Sequence, residues 1–356
     1  MQYTESALNK ELSRYFFGHA QRRKMIAKLV VAVLHLCSVK LSHLCLQINP
    51  KVKVSSNFKR IQRFLLKYEF STPSYVQWVF SKYGGNHKWT CLSLDRTNWK
   101  FGSRNINILT LGLCIEGTAI PLVWSLLPKE GNSSMEERIN LLESFFACIT
   151  EEQRKSIRYL VMDREFEGMD WLGYLKANDL DFVLRIRNNI LVRHMGQMKS
   201  HRASRLFTST KFSNLRKQRI ISGHRLYIGG KKLKGKEYLI LVSSKQFGYA
   251  QRIYAERWGI EVFFGSLKKR GFNLEGTHLT NLKRIKCLIF ILAIAFVWSF
   301  KVGRDRHKNI EPIKLKKVGD RTVKLYSFFA YGLKTLRLKI IANLCLDYES
   351  KVLSCT

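Results

Sequence analysis

Acids are scarce in this chain. Its 356 residues hold 26 Asp and Glu against 62 Lys and Arg, a formal net charge of +36. A molecule so basic repels itself unless a polyanion neutralises it, which makes nucleic acid the leading expected partner and an anionic membrane surface the competing one. The membrane reading lacks its own support. The start, Met1-Gln-Tyr-Thr-Glu-Ser6, has neither the charged nor the apolar region of a secretory signal. The longest apolar run, Cys287 to Phe300, has about 14 residues, short of the ~17–25 a spanning helix needs. Flanked by Lys286 and Lys301, it reads as a buried core helix, and no membrane association is expected. Also missing are any Cys-x-x-Cys pair, any Cys/His cluster at zinc spacing, any internal repeat and any low-complexity tract. The eight cysteines are scattered, mostly in apolar contexts, so they read as small hydrophobes in a reducing cytoplasm.

What is present is enough apolar material, 46% of residues, to fill real cores, in a chain long enough for two or three domains. Residues 1–85 read as helices. Met25 to Leu46 is apolar with a helical period, Asn49-Pro50 breaks it, and Ser55 or Ser56 can cap a second helix running to about Tyr68. That helix carries Lys59, Arg60, Arg63 and Lys67 around Phe58, Ile61, Phe64 and Leu65. Helix, break and basic helix suit a helix-turn-helix-like DNA module, and equally an ordinary bundle with a solvated basic face.

From Trp89 the period becomes that of strands: Trp89 to Asp95, Ile106 to Glu116 and Thr118 to Leu127, the last two joined by a tight turn at Glu116-Gly117-Thr118. Then come an amphipathic helix from Met135 to Thr150, a strand from Ile157 to Asp163, a short helix from Trp171 to Ala177 and a strand from Asp181 to Arg187. Three strands, helix, strand, helix, strand is the order of an α/β, ribonuclease H-like mixed sheet flanked by helices. The expected division is a helical, DNA-binding region at 1–85, a catalytic core at 86–187 and 246–300, a basic β insertion at 188–245 and a helical region at 301–356. Between Arg185 and Lys245 stand sixteen Lys and Arg and a single acid, Glu237, interleaved with apolar residues, as a folded nucleic-acid groove requires. His194, His201 and His224 lie among these cations and read as DNA-facing donors.

Three acids stand where such a fold gathers chemistry. Asp95 closes the first strand, Asp163 the fourth, and Glu261 lies on a helix that follows the last strand. On that helix Tyr254, Arg257, Glu261 and Lys268 are spaced 3, 4 and 7 apart. At roughly 100° per residue they share one face, while Ile253, Ile260, Phe263 and Leu267 form an apolar stripe. Converging carboxylates need cations between them. Their hard oxygens suit Mg²⁺ or Mn²⁺, and two such ions can activate a nucleophile and stabilise the leaving oxygen of a phosphodiester displacement. Arg96 either pairs with a nearby acid or touches a phosphate. Trp124 reads as core, and Trp258 as packed.

The spacing Tyr-x2-Arg-x3-Glu-x6-Lys, with Asn98 and Trp99 after the first aspartate and Asp163-Arg164-Glu165 at the second, resembles the DDE transposases of bacterial insertion sequences, specifically insertion-sequence family four. The resemblance covers about residues 89–300. It implies a cut-and-paste DNA transposase in which Asp95, Asp163 and Glu261 bind two metal ions, and Tyr254, Arg257 and Lys268 hold phosphates and a displaced nucleotide. It further implies a homodimer on paired terminal inverted repeats, a hairpin on the transposon end, and a bacterial, cytoplasmic, nucleoid-associated location. This sequence departs from the family in having no tryptophan in 188–245 to stack on a flipped base, leaving Phe207, Phe212, Tyr227 or Tyr238. Glu165 and Glu167 lie close enough to Asp163 to share metal binding. The competing classes are a catalytically silent DNA-binding repressor or architectural protein, and a structure-selective nuclease that cuts without joining.

Overall fold

The structure is a computed structural model that describes residues 2–354 apart from 17, 84–89, 236, 247, 320 and 345. Trp89, Cys345 and Cys355 therefore lie outside the described residues. Five helices open the chain: α1 (Gln2–Ser13), α2 (Ala20–Leu36), α3 (Leu41–Ile48), α4 (Val54–Lys67) and α5 (Thr72–Tyr83). The apolar run from Met25 to Leu46 is two helices, contrary to the expectation of one. Cys37 takes the left-handed conformation and returns its N–H to Val33 O, and α3 departs at 118° to α2. The bend lets both halves bury their apolar sides, Leu29 to Leu34 in one and Leu41, Leu44 and Cys45 in the other. Ser55 and Ser56 do not cap α4 but lie inside its first turn. The turn before α4 is fixed by the buried Asn57 side chain, which donates to Cys45 O at 3.1 Å and Asn49 O at 2.8 Å.

The strands are β1 (Thr90–Phe101), β2 (Arg104–Ile115), β3 (Thr118–Leu127), β4 (Ile157–Met162), β5 (Phe182–Ile186), β6 (Leu191–His194), β7 (Ser200–Arg202), β8 (Ser213–Asn214), β9 (Arg219–Ile221), β10 (His224–Lys232) and β11 (Tyr238–Ser243). They form one mixed sheet in the order β3-β2-β1-β4-β5-β11-β10-β9-β6-β7, with β8 on β10. β1, β4 and β5 are parallel, whereas β2 and β3 fold back antiparallel and β11 joins β5 antiparallel. The hairpin between β2 and β3 turns on Glu116 and Gly117, both at positive φ (47° and 77°), as a two-residue turn matched to strand twist demands.

Crossovers are supplied by α6 (Met135–Phe146), α7 (Glu151–Ser156) and α8 (Met169–Ala177). Capping boxes at Ser134/Glu137 and Thr150/Gln153 split what reads in sequence as one helix, since Thr150 starts α7 instead of ending α6. After the sheet come α9 (Ala250–Ala255), α10 (Trp258–Leu267) and α11 (Leu282–Asn309). At 28 residues α11 is much longer than its apolar centre, and by length and composition it could cross a membrane; 94% of its most apolar window is nonetheless buried inside the protein. It packs against α2, α4 and β3, and against α12 (Phe328–Ile341) and α13 (Asp347–Ser354). The stretch from Gly303 is thus helical to Asn309, and not a polar connection, and it leads into a hairpin of β12 (Leu315–Val318) and β13 (Arg321–Lys324). Arg304 and Lys308 in the last turns of α11 both bond Glu116, which is how those charges are accommodated on a helix.

Candidate active site

The register of the parallel strands brings the first two acids together. The last matched pair of β1 and β4 is Leu94↔Met162, so Asp95 and Asp163 are the next residues on adjacent chains. There the strands part. β1 does not end at Asp95 as expected but continues to Phe101 paired with β2 alone, and the chain after β4 turns into a short 3₁₀ segment, Arg164–Phe166. The opening leaves carboxylates at the end of a parallel pair with no neighbouring ladder to fill the space.

The third element is not the single helix that the spacing suggests. α9 and α10 are joined through a tightened turn in which Glu256, Arg257, Gly259 and Ile260 each donate to the carbonyl three residues back, at 3.0–3.1 Å. Close approach to the sheet accounts for the adjustment. A Cβ on Gly259 would lie 2.7 Å from Thr118 C and 2.8 Å from Ala119 N, so only glycine lets α10 sit this near β3. The apolar stripe behaves as expected, with Ile253, Ile260, Phe263 and Leu267 all buried. Trp258 does not: it is 61% exposed on the outside of the tightened turn.

Tyr254, Arg257 and Glu261 still meet the aspartates. The Tyr254 hydroxyl donates to Asp163 Oδ1 at 3.0 Å. Arg257 Nη1 donates to Asp95 Oδ2 at 3.0 Å and its Nη2 to Glu261 Oε1 at 2.6 Å, so one guanidinium ties the acid of β1 to the acid of α10. Its Nε is buried without a partner. Lys268 stands apart from the acids, its Nζ donating to Asn98 O at 3.0 Å and pairing with Glu275 at 3.0 Å, 5.8 Å from the Trp99 ring centroid. Arg96 resolves to the acid-pairing alternative. It holds Glu165 through Nη2 at 3.1 Å and Asn107 through Nη1 at 3.1 Å, while its backbone N–H donates to Asp95 Oδ1 at 2.7 Å. Glu165 is thereby committed to Arg96, and Glu167 pairs with Arg187.

The electrostatics follow from this crowding. Burial pushes the Asp95 carboxyl up to about 7, with Glu165 and Asp163 adding to the rise and Arg257 opposing it. Burial also raises the Tyr254 phenol, reinforced by Asp163, so it remains a donor at any physiological pH. Burial disfavours the Arg257 cation, but the field of Tyr254 and Asp95 and the bond to Glu261 outweigh that and raise it.

A hard divalent cation suits this donor set, which is carboxylate oxygen throughout. As they stand, no three His, Cys, Asp or Glu side chains among the described residues are gathered closely enough to hold an ion. Arg257 supplies positive charge to both Asp95 and Glu261 and stands between them.

Of the other candidates, Lys59, Arg60 and Arg63 are exposed on α4, which packs on α3 and α11. Trp124 is core on β3. His224 bonds Met169 O at 2.7 Å. Phe207 is buried at 2% and has no free face. Tyr238 instead lines a cavity of about 400 Å³ with Arg164, Arg185, Arg187, Asn188 and the acid Glu237. The sequence signal for this pocket, Arg185 near the end of β5 and Arg187 just past it, is present but unspecific.

Residues 140–298 match the family model described as the transposase DDE domain. That span takes in Asp163 and the Tyr254–Lys268 motif and leaves Asp95 outside it. The match, which covers a little under half of the chain, supports a DDE-type transposase enzyme. Such an enzyme carries out DNA transposition and is of a type that works on DNA with divalent metal. No curated protein matches the chain. Among solved structures it is similar to a piggyBac transposase synaptic complex with hairpin DNA, with a TM-score of 0.39, 10% identity and coverage of 98% of this chain and 78% of that one. So loose a superposition aligns no individual residues, and no role is assigned from it.

Proposed function

We propose that this enzyme is the transposase of a bacterial insertion sequence of family four, built on a ribonuclease H-like core, and that it cuts transposon ends and joins their 3′-hydroxyls to target DNA. Asp95, Asp163 and Glu261 are the catalytic carboxylates. The observation that carries the reading is the pair of contacts Asp163–Tyr254 and Asp95–Arg257–Glu261, set side by side with the Arg257 guanidinium 5.5 Å from the Tyr254 ring centroid, so that every position of the tyrosine–arginine–glutamate motif engages an acid of the sheet or bridges to one. The strand order β3-β2-β1-β4-β5, with the helix of the third acid against it, supports the core assignment. We divide the chain into a helical DNA-binding region at 1–85, the core at 86–187 and 246–300, a basic insertion at 188–245 and a helical region at 301–356.

Asp95, Asp163 and Glu261 would hold Mg²⁺ or Mn²⁺, two ions per site. Bound there, the ions would polarise the scissile phosphodiester and lower the pKa of the attacking water or 3′-hydroxyl. The protein's own part is positional. Tyr254 keeps Asp163 oriented by a hydrogen bond that it cannot lose by ionising. Arg257, once it leaves the carboxylates, is a bidentate donor already placed for a phosphate, and Lys268, anchored on Asn98 O, offers a second cation along the same strand. Lys59, Arg60 and Arg63 add phosphate contacts from α4. Of Phe207, Phe212, Tyr227 and Tyr238, Tyr238 is the one we assign to stack on a displaced base, because it lines a cavity with Arg164, Arg185 and Arg187. The complex on paired ends is a homodimer, the route runs through an end hairpin, and the enzyme works in the cytoplasm at the nucleoid.

The test is cleavage and strand transfer on oligonucleotides carrying the element's terminal repeats, with Asp95→Asn, Asp163→Asn and Glu261→Gln as controls. The wild type should nick and join in Mg²⁺, and each variant should bind DNA without cutting. Binding without cleavage by the wild type would make it a repressor or architectural protein, and cleavage without joining a nuclease.

A further inference from the structure

The hairpin of β12 and β13 belongs to no larger sheet. Its two strands pair only with each other, in the register Leu315↔Lys324, Lys316↔Val323, Lys317↔Thr322 and Val318↔Arg321. Leu315 is 64% exposed, Val318 55% and Val323 39%, and Lys314, Lys316, Lys317 and Lys324 are exposed beside them. An isolated two-stranded hairpin is marginal in water, yet this one stands on a built foot. Ile313 and Phe328 are buried at its two ends, the Ile313 N–H donates to His307 Nδ1 at 2.8 Å, the Leu325 N–H closes on Lys314 O at 2.8 Å, and Lys324 Nζ lies 4.0 Å from the Phe328 ring centroid. The ribbon is held firmly at its base by α11 and α12 and bare along its length.

We propose that this ribbon is a second DNA-contacting element, one that enters a groove of the duplex; the proposal rests on the DNA-transposing activity of the protein. Three features select that occupant. The ribbon is only two strands wide, about 4.8 Å between strands before side chains are added, which fits the ~12 Å width of a major groove that admits a two-stranded ribbon. The cross-strand pair Lys316↔Val323 sets an aliphatic group beside an ammonium, with Leu315, Lys317 and Val318 next to them along β12, so methyl-rich base edges and phosphates are met together. Against a second copy of the chain, the same ribbon would set lysine against lysine on molecules that each carry +36.

The experiment is fluorescence anisotropy of a labelled duplex of arbitrary sequence over a salt series, with the full chain, Lys316→Gln/Lys317→Gln and Leu315→Ser/Val318→Ser. Circular dichroism confirms that the variants fold. The lysine pair should weaken binding and reduce the slope of log affinity against log salt by about 1.8, two phosphate contacts at ~0.9 each. The apolar pair should weaken binding with the slope unchanged. Unaltered affinity and slope in the lysine pair, with the wild type binding normally, overturns the ribbon proposal alone. A wild type that binds no duplex sinks the transposase reading as well. If the apolar pair instead changes the sedimentation coefficient and leaves DNA affinity intact, the ribbon is an interface between copies. If the lysine pair loses only binding to phosphatidylserine/phosphatidylcholine vesicles, it is a lipid contact. Either result overturns the proposal.

Discussion

Arg257 is a cation with two carboxylates and no third bond for its Nε, and removing it leaves Asp95 and Glu261 without a counter-charge. Arg257→Ala should cost about 3 kcal/mol, the lower end of what deleting one partner of a buried ion pair costs, because Glu261 is a third exposed. Urea denaturation of the metal-free protein measures it, and a loss below experimental error would show that the bridge contributes nothing to folding. The pattern of Tyr254, Arg257, Glu261 and Lys268 was legible because helical spacing fixes direction whatever the packing. Its partners were not legible. That Arg96 takes Glu165, or that Tyr238 lies against Arg185, depends on strand register across 69 residues of chain in the first case and 53 in the second, and no local spacing encodes that. Trp258 was misplaced for a related reason: the tightened turn swings it out of the face that an unbroken helix would have given it.

At the scale of elements, the tight approach of α10 to β3 sets the position of Glu261. A helical Gly→Ala change normally stabilises by about 0.8–1.0 kcal/mol. Gly259→Ala should do the reverse, because its Cβ would press on the Thr118–Ala119 backbone, which has no flexible end to move aside. Overpacking of this kind costs about 1–3 kcal/mol, and the displaced helix should lose cleavage more completely than it loses stability. Thermal melts with a cleavage assay on the same preparation check this; a stable, fully active variant would mean that the helix has slack. Strands β1 to β5, β10 and β11 and most helices could be read from periodicity and the Glu116-Gly117 turn, whereas β6 to β9, the β12–β13 hairpin and the start of α4 could not. Nor could breaks inside apolar runs. The bend at Cys37 and the extension of α11 to Asn309 are decided by what the helices meet, α11 keeping its polar last turns because Glu116 is there to receive them.

For the whole molecule, the shortage of acids makes each one that links distant parts matter. Glu116 joins the β2–β3 turn to the end of α11. Burial alone would raise its carboxyl, but the bonds from Arg304 and Lys308 outweigh that and hold it at about 2, below the usual 4.5. A folded value below the unfolded one means the link contributes fully above pH 4.5 and is lost as pH falls through about 2. Glu116→Gln should therefore be less stable than wild type at pH 7, with the gap closing between pH 4.5 and pH 2. Denaturation curves across that range test it, and a gap that stays constant would assign the loss to packing. The net charge pointed to nucleic acid from composition alone. The single sheet running from β3 through β5 and β11 to β7 did not show in the sequence, where 188–245 reads as a separate piece.

The burial of α11 has a genetic consequence. Its apolar sides are shielded by helices drawn from both ends of the chain, α2 and α4 on one hand and α12 and α13 on the other. A frameshift that deletes α12 and α13 would uncover a long greasy surface and send the product to aggregation or proteolysis. Decay of the gene from its 3′ side should thus yield no protein at all, and no lingering fragment able to occupy transposon ends in competition with intact enzyme.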